Sequence, residues 1–253
     1  MKEKVNLFYF HENAGHGNFG DELSKFIVES LLNKQKYELV CNEKNCEKNI
    51  IAIGSYIHVA KNNYTIFGSG VRTNPPIEGC HSYKNLNVIA CRGPKTRQFL
   101  MNDKNIPCPE VYGDPALLLP QFYTPKKIKE MQNKIIIIPH KSQFHKYKKI
   151  PTNYIVINPR DHWKDVVNAI FSAKAIISSS LHGLIVADAY SKPNIMLQEF
   201  ELTEGTFKFK DYYESQKRPF FFIKKVNDYD EKLLYCQGNR IDINKLKKAF
   251  PFL

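Results

Sequence analysis

AIISSSLHGLIVADAYSKPNIMLQ, residues 175–198, reads as a complete strand–helix–strand unit. An apolar, β-branched run ends in three serines, a small-residue turn opens an apolar helix that closes before Pro193, and a second apolar run follows. Two strands joined through a helix lie parallel, so this segment commits its half of the chain to an α/β fold. The turn also directs backbone N–H groups, the positive end of a helix and hydroxyl donors towards one point, which is how an anion site is built. His182 sits in that turn. Ser179 or Ser180 as a plain helix cap, with His182 hydrogen-bonded or facing solvent, explains the same letters.

The rhythm extends in both directions. Upstream in the same half are the strand-like runs KIIIIPH (134–140) and YIVINP (154–159) and the amphipathic helix DHWKDVVNAIFSA (161–173). The first half carries VNLFYF (5–10), IIAIGS (50–55), YTIFGSG (64–70) and LNVIACR (86–92), with helices expected at DELSKFIVESLLNK (21–34) and PKTRQFLMN (94–102). Three prolines in YGDPALLLPQFYTPKK (112–127) break the alternation. The expected architecture is two Rossmann-like α/β domains, 1–120 and 121–253, facing a cleft, with ligands at the carboxyl ends of the strands.

A chain of 253 residues buries a core without staples. Its six cysteines form neither a disulfide framework nor paired C-x-x-C clips, and are expected as free thiols in a reducing compartment. With no signal-like leader and no apolar run long enough to span a bilayer, a cytoplasmic protein is expected. The net charge of +12 favours anionic partners. Most of it is lysine, dispersed and not interleaved with stacking aromatics, so a nucleic-acid groove is not expected.

Other strand ends carry polar groups. Arg92 leaves LNVIACR beside a proline-started helix, where it either reaches the cleft or pairs with carboxylates. Asn158, Arg160 and Asp161 follow the strand YIVINP, with helix capping by Asp161 the plainer reading. His140 and Lys141 follow KIIIIPH. GHGNFG (15–20) fits the dinucleotide fingerprint in letters, but only Glu43 stands near the end of the next strand, which disfavours a nicotinamide cofactor. His11 and His16 have no metal-ligand spacing, and the D-x-D of Asp228 and Asp230 lies in a polar, lysine-flanked turn.

Together NFGDEL (18–23), FGSGV (67–71), CRGPKT (91–96), YGDPALLLP (112–120) and SSSLHGLIVADAYSKP (178–193) resemble the polysaccharide pyruvyl transferases. The resemblance implies a two-lobed, glycosyltransferase-B-like protein that moves the pyruvyl or enolpyruvyl unit of phosphoenolpyruvate onto a sugar of a glycan, commonly as a cyclic ketal. It further implies donor binding in the C-terminal lobe and acceptor binding in the N-terminal lobe. On this basis His182 and Asp21 are the expected catalytic residues, and Asn18 and Gly20 are expected on the acceptor. Ser179, Ser180, His140, Lys141, Arg92 and Arg160 are expected on the donor. In some relatives an arginine stands two residues before the histidine; here it is Ser180, so either His140, Lys141, Arg92 or Arg160 supplies the cation or the donor site is altered. No metal or resident cofactor is expected. The alternatives are a nucleotide-sugar glycosyltransferase and a non-catalytic member that binds a phosphorylated ligand.

Overall fold

The computed structural model describes residues 2–11, 17–73, 82–148, 150–201 and 205–253. Among these, two five-stranded sheets with parallel pairing throughout organise the chain. The first contains β1 (Glu3–Phe8), β2 (Tyr37–Cys41), β3 (Lys48–Ile51), β4 (Thr65–Phe67) and β5 (Asn87–Ala90) in the order β2-β1-β3-β4-β5. The second contains β6 (Ile135–Ile138), β7 (Tyr154–Val156), β8 (Ala175–Ser178), β9 (Asn194–Leu197) and β10 (Phe222–Ile223). Its order is β10-β9-β8-β6-β7, which is the same winding when read from β7. This is a Rossmann-like α/β arrangement used twice.

In each sheet the winding reverses once, between β1 and β3 and between β6 and β8. Loops leaving neighbouring strands at such a point diverge to opposite faces and open a crevice.

The helices are α1 (Phe19–Leu31), α2 (Pro94–Gln98), α3 (Trp163–Ser172), α4 (Leu181–Ala189), α5 (Phe207–Ser215) and α6 (Ile243–Lys248). Pro94 occupies the first turn of α2, where its missing N–H costs nothing, and the helix widens into a π turn over Phe99–Asp103. In α1, Phe19, Leu23, Ile27 and Leu31 recur every four residues and form the buried stripe. By contrast, α4 is buried along nearly its whole length, as a helix enclosed on all sides must be. Capping of α3 falls one residue later than the sequence suggests: His162, not Asp161, accepts from the Lys164 N–H.

One hydrophobic cluster runs through both sheets. Its bridge is the 3₁₀ turn Pro115–Gln121, which packs against α1, α4 and α6. Leu118 and Leu119 of that turn are fully buried, each contributing about 1.5–3 kcal/mol as an upper estimate. The chain end returns to the first sheet, where Phe250 meets Phe67 at 5.2 Å and Phe252 meets Tyr37 at 5.3 Å between ring centroids. Among the described residues no helix is long and apolar enough to cross a membrane, and the five described cysteines are free.

Candidate active site

Both winding reversals open onto one cleft. The loop and helix after β1 supply Asn18 and Asp21, and the loop after β3 supplies Gly54, Ser55 and Tyr56. From the second sheet come His140 and Lys141 after β6, and Ser180, Leu181 and His182 after β8. Arg72, beyond β4, and Lys208, on α5, complete the wall.

The serines after β8 build the turn. Ser178 Oγ donates to the Ile138 carbonyl at 2.8 Å and accepts from the Ser180 N–H at 3.0 Å. Ser179 Oγ accepts from the His140 N–H at 2.8 Å, which ties the β6 loop to the β8 loop. Ser180 stands at the N-cap of α4, yet its hydroxyl makes no cap bond and lies in the cleft wall. Thus Ser179 acts through backbone geometry, whereas Ser180 lines the cleft.

His182 is 7% exposed and is held between the two halves of the chain. Gly20 packs directly against its Nδ1–Cγ side: a Cβ there would lie 2.0 Å from His182 Nδ1. Phe19 meets the ring edge-on at 6.4 Å. On the other side, His182 Nε2 lies 3.7 Å from Asp114 Oδ2. Gly20, expected to touch an acceptor, instead makes room for the histidine.

Asp21 is 5% exposed. Burial raises its carboxyl above the ordinary range, opposed by the charges of His182, Lys141 and Lys208 and by a hydrogen bond from Tyr56. Asn18 Oδ1 accepts from the Gly20 N–H and caps α1. Gly54, at φ +101°, adopts a backbone that L side chains rarely adopt, and a Cβ on it would strike the Tyr56 ring.

Two expected donor ligands lie elsewhere. Arg92 is fully buried, with Nε donating to Asp211 Oδ2 at 3.0 Å, one terminal nitrogen to Ser55 Oγ at 2.6 Å and the other to the Val71 carbonyl at 2.6 Å. Its β5 is two strands from the reversal and each of its three guanidinium nitrogens has a partner inside the protein, so it braces the cleft from behind. Arg160 follows β7, an edge strand, and is exposed outside the cleft. His16 and Gly15 of the glycine-rich loop lie outside the described residues.

The model of one protein family, described as polysaccharide pyruvyl transferase, matches residues 12–198. The chain belongs to that family. Among curated relatives, an uncharacterized protein of Acanthamoeba polyphaga mimivirus is 26% identical over 83% of this chain and 74% of its own length. The succinoglycan biosynthesis protein ExoV of Rhizobium meliloti is 27% identical over 73% of this chain and 57% of its own. The matched segment of this polysaccharide pyruvyl transferase family member includes every cleft residue named above except Lys208.

Tyr56, Arg72, Lys208 and Asp114 are absent from the sequence-derived set. Tyr56 follows an apolar strand and reads as core, and Arg72 lies beyond a strand end without a motif of its own. Lys208 is one lysine among 31. Asp114 reads as a turn residue because it precedes Pro115.

Proposed function

We propose that this chain transfers the pyruvyl unit of phosphoenolpyruvate to a sugar of a glycan or glycan precursor, forming a pyruvate ketal, in a glycosyltransferase-B-like two-lobed frame. The observation that carries the reading is the convergence of both winding reversals on one cleft, where a buried histidine and a buried carboxylate meet among cations.

The chemistry asks for three things. Protonation of the methylene carbon of phosphoenolpyruvate creates an oxocarbenium-like centre, which a sugar hydroxyl attacks while losing its proton. Phosphate then leaves with the electrons of its C–O bond, and a second hydroxyl closes the ketal. An acid, a base and cations for phosphate and carboxylate are therefore required. His182 at the start of α4 is assigned the proton transfer to carbon. Asp21, raised by burial towards working pH, suits the base role for the hydroxyl. His140, Lys141, Arg72 and Lys208 line the same cleft and replace the arginine that Ser180 lacks. The Tyr56 ring offers a face on which a sugar stacks.

The test is thermal stabilisation by phosphoenolpyruvate against nucleotides and sugar nucleotides. A ligand at a hundred times its dissociation constant adds about 2.7 kcal/mol. Stabilisation by phosphoenolpyruvate, weakened in His182→Ala, is expected. Stabilisation by a sugar nucleotide alone would replace this reading with a glycosyltransferase.

A further inference from the structure

We infer that Asp114 is a positioning residue: its carboxylate accepts the Nε2–H of His182, which leaves Nδ1 as the nitrogen that exchanges a proton in the cleft. The inference rests on the pyruvyl-transfer reading for what that proton does.

The two carboxylate oxygens of Asp114 have different surroundings. Oδ1 accepts from the Ala116 N–H at 3.0 Å and caps the turn Pro115–Gln121. Oδ2 is buried without a hydrogen-bond partner, and His182 Nε2 is also buried without one. These two atoms face each other at 3.7 Å, with Asp114 fully buried. Buried polar atoms left unpaired are costly and uncommon, and here an acceptor and a ring nitrogen are aimed at one another. A hydrogen bond of this kind in an empty site is often long and closes when a substrate is bound.

Neighbouring groups do not satisfy this oxygen. The buried Tyr212 of α5 lies near Asp114, but its hydroxyl donates to Asp188 at 2.7 Å. Asp21 of α1 faces His182 from the cleft side, and Lys141 and Lys208 act on that carboxylate in turn. His182 therefore lies between a fully buried carboxylate at Nε2 and a cleft-lining one. With Nε2–H bound to Asp114, Nδ1 is the ring nitrogen left for proton exchange; it packs against Gly20, where a Cβ would lie 2.0 Å from it, and the His182 side chain as a whole lines the cleft. A histidine's working nitrogen is set by the bond its other nitrogen makes.

Asp114→Asn is the informative variant, because an asparagine keeps the size and the cap to Ala116 while replacing the charge with an amide. Nitrogen-15 NMR of histidine-labelled, ligand-free protein is expected to show His182 as the Nε2–H tautomer in the wild type. In Asp114→Asn it is expected to show the Nδ1–H tautomer. With phosphoenolpyruvate and an acceptor, kcat is expected to fall about 10²-fold to 10⁴-fold at nearly unchanged KM for phosphoenolpyruvate. A wild type with the Nδ1–H tautomer overturns the inference, even where the variant does not fold. Unchanged His182 resonances and kcat in a folded variant overturn it equally. The expected tautomers in a protein inert towards phosphoenolpyruvate would uphold the positioning role and dismiss pyruvyl transfer instead.

Discussion

Arg92 and His182 follow strands β5 and β8, each near the start of a helix, each beside a buried aspartate, and they do opposite things. Arg92 is sealed and three of its nitrogens donate, to Asp211, Ser55 and Val71. His182 has only a loose partner at 3.7 Å, Asp114, facing its Nε2, and its side chain lines the cleft. A sealed ion with a partner on every nitrogen holds a fold together, whereas a cleft-lining histidine held loosely by one buried carboxylate stays able to exchange a proton.

The contrast is broken most violently at Arg92. Arg92→Ala leaves Asp211 buried without its ion pair, costing about 3–5 kcal/mol. At about 2–4 °C per kcal/mol for a chain of this size, the melting midpoint drops by roughly 10 °C. Lysine, a point charge, is expected to restore only part of it. His182→Ala should differ in kind, with turnover down about 10²-fold to 10⁴-fold and a smaller drop in the midpoint than Arg92→Ala gives, since its partner Asp114 keeps the Ala116 cap. If the histidine variant melted early while the arginine variant did not, the two roles would have to be exchanged.

Gly20→Ala sharpens the comparison from the other lobe. Its methyl would stand 2.0 Å from His182 Nδ1, so the ring must move. A stability loss of about 1–3 kcal/mol is expected by calorimetry, with turnover reduced further than that loss explains.

A smaller effect separates a third aspartate, Asp188, which is paired with Arg218 at 3.3 Å. Burial outweighs Arg218 and raises its carboxyl to about 6. The native state therefore holds a proton between about pH 4 and 6 that the unfolded chain has released. The stabilisation from this group is complete below about pH 4 and is lost as pH rises through 6. Asp21, also raised, adds a slope of the same sign. Melting midpoints measured across that window should fall less steeply with rising pH in Asp188→Asn than in the wild type.

The strands and main helices were legible because apolar runs such as IIII at 135–138 and the four-residue spacing in α1 are local signals. The cleft residues of the β1, β6 and β8 loops were legible because strand-end loops of an α/β sheet are where ligands bind. Arg92 was not, since a ligand-binding arginine and a structural one have the same local sequence. The deciding partner, Asp211, is 119 residues away. Strand order was equally hidden, and it is what draws β1, β3, β6 and β8 to the cleft while leaving β5 and β7 outside.

The central claim is tested most directly by incubating the protein with phosphoenolpyruvate and a panel of glycan acceptors, following phosphate release and acceptor mass together. The account predicts phosphate released in step with acceptor gaining one pyruvyl group, abolished in His182→Ala and Asp21→Asn. Phosphoenolpyruvate that binds without turnover on any acceptor, or pyruvylation that survives loss of His182, would contradict it.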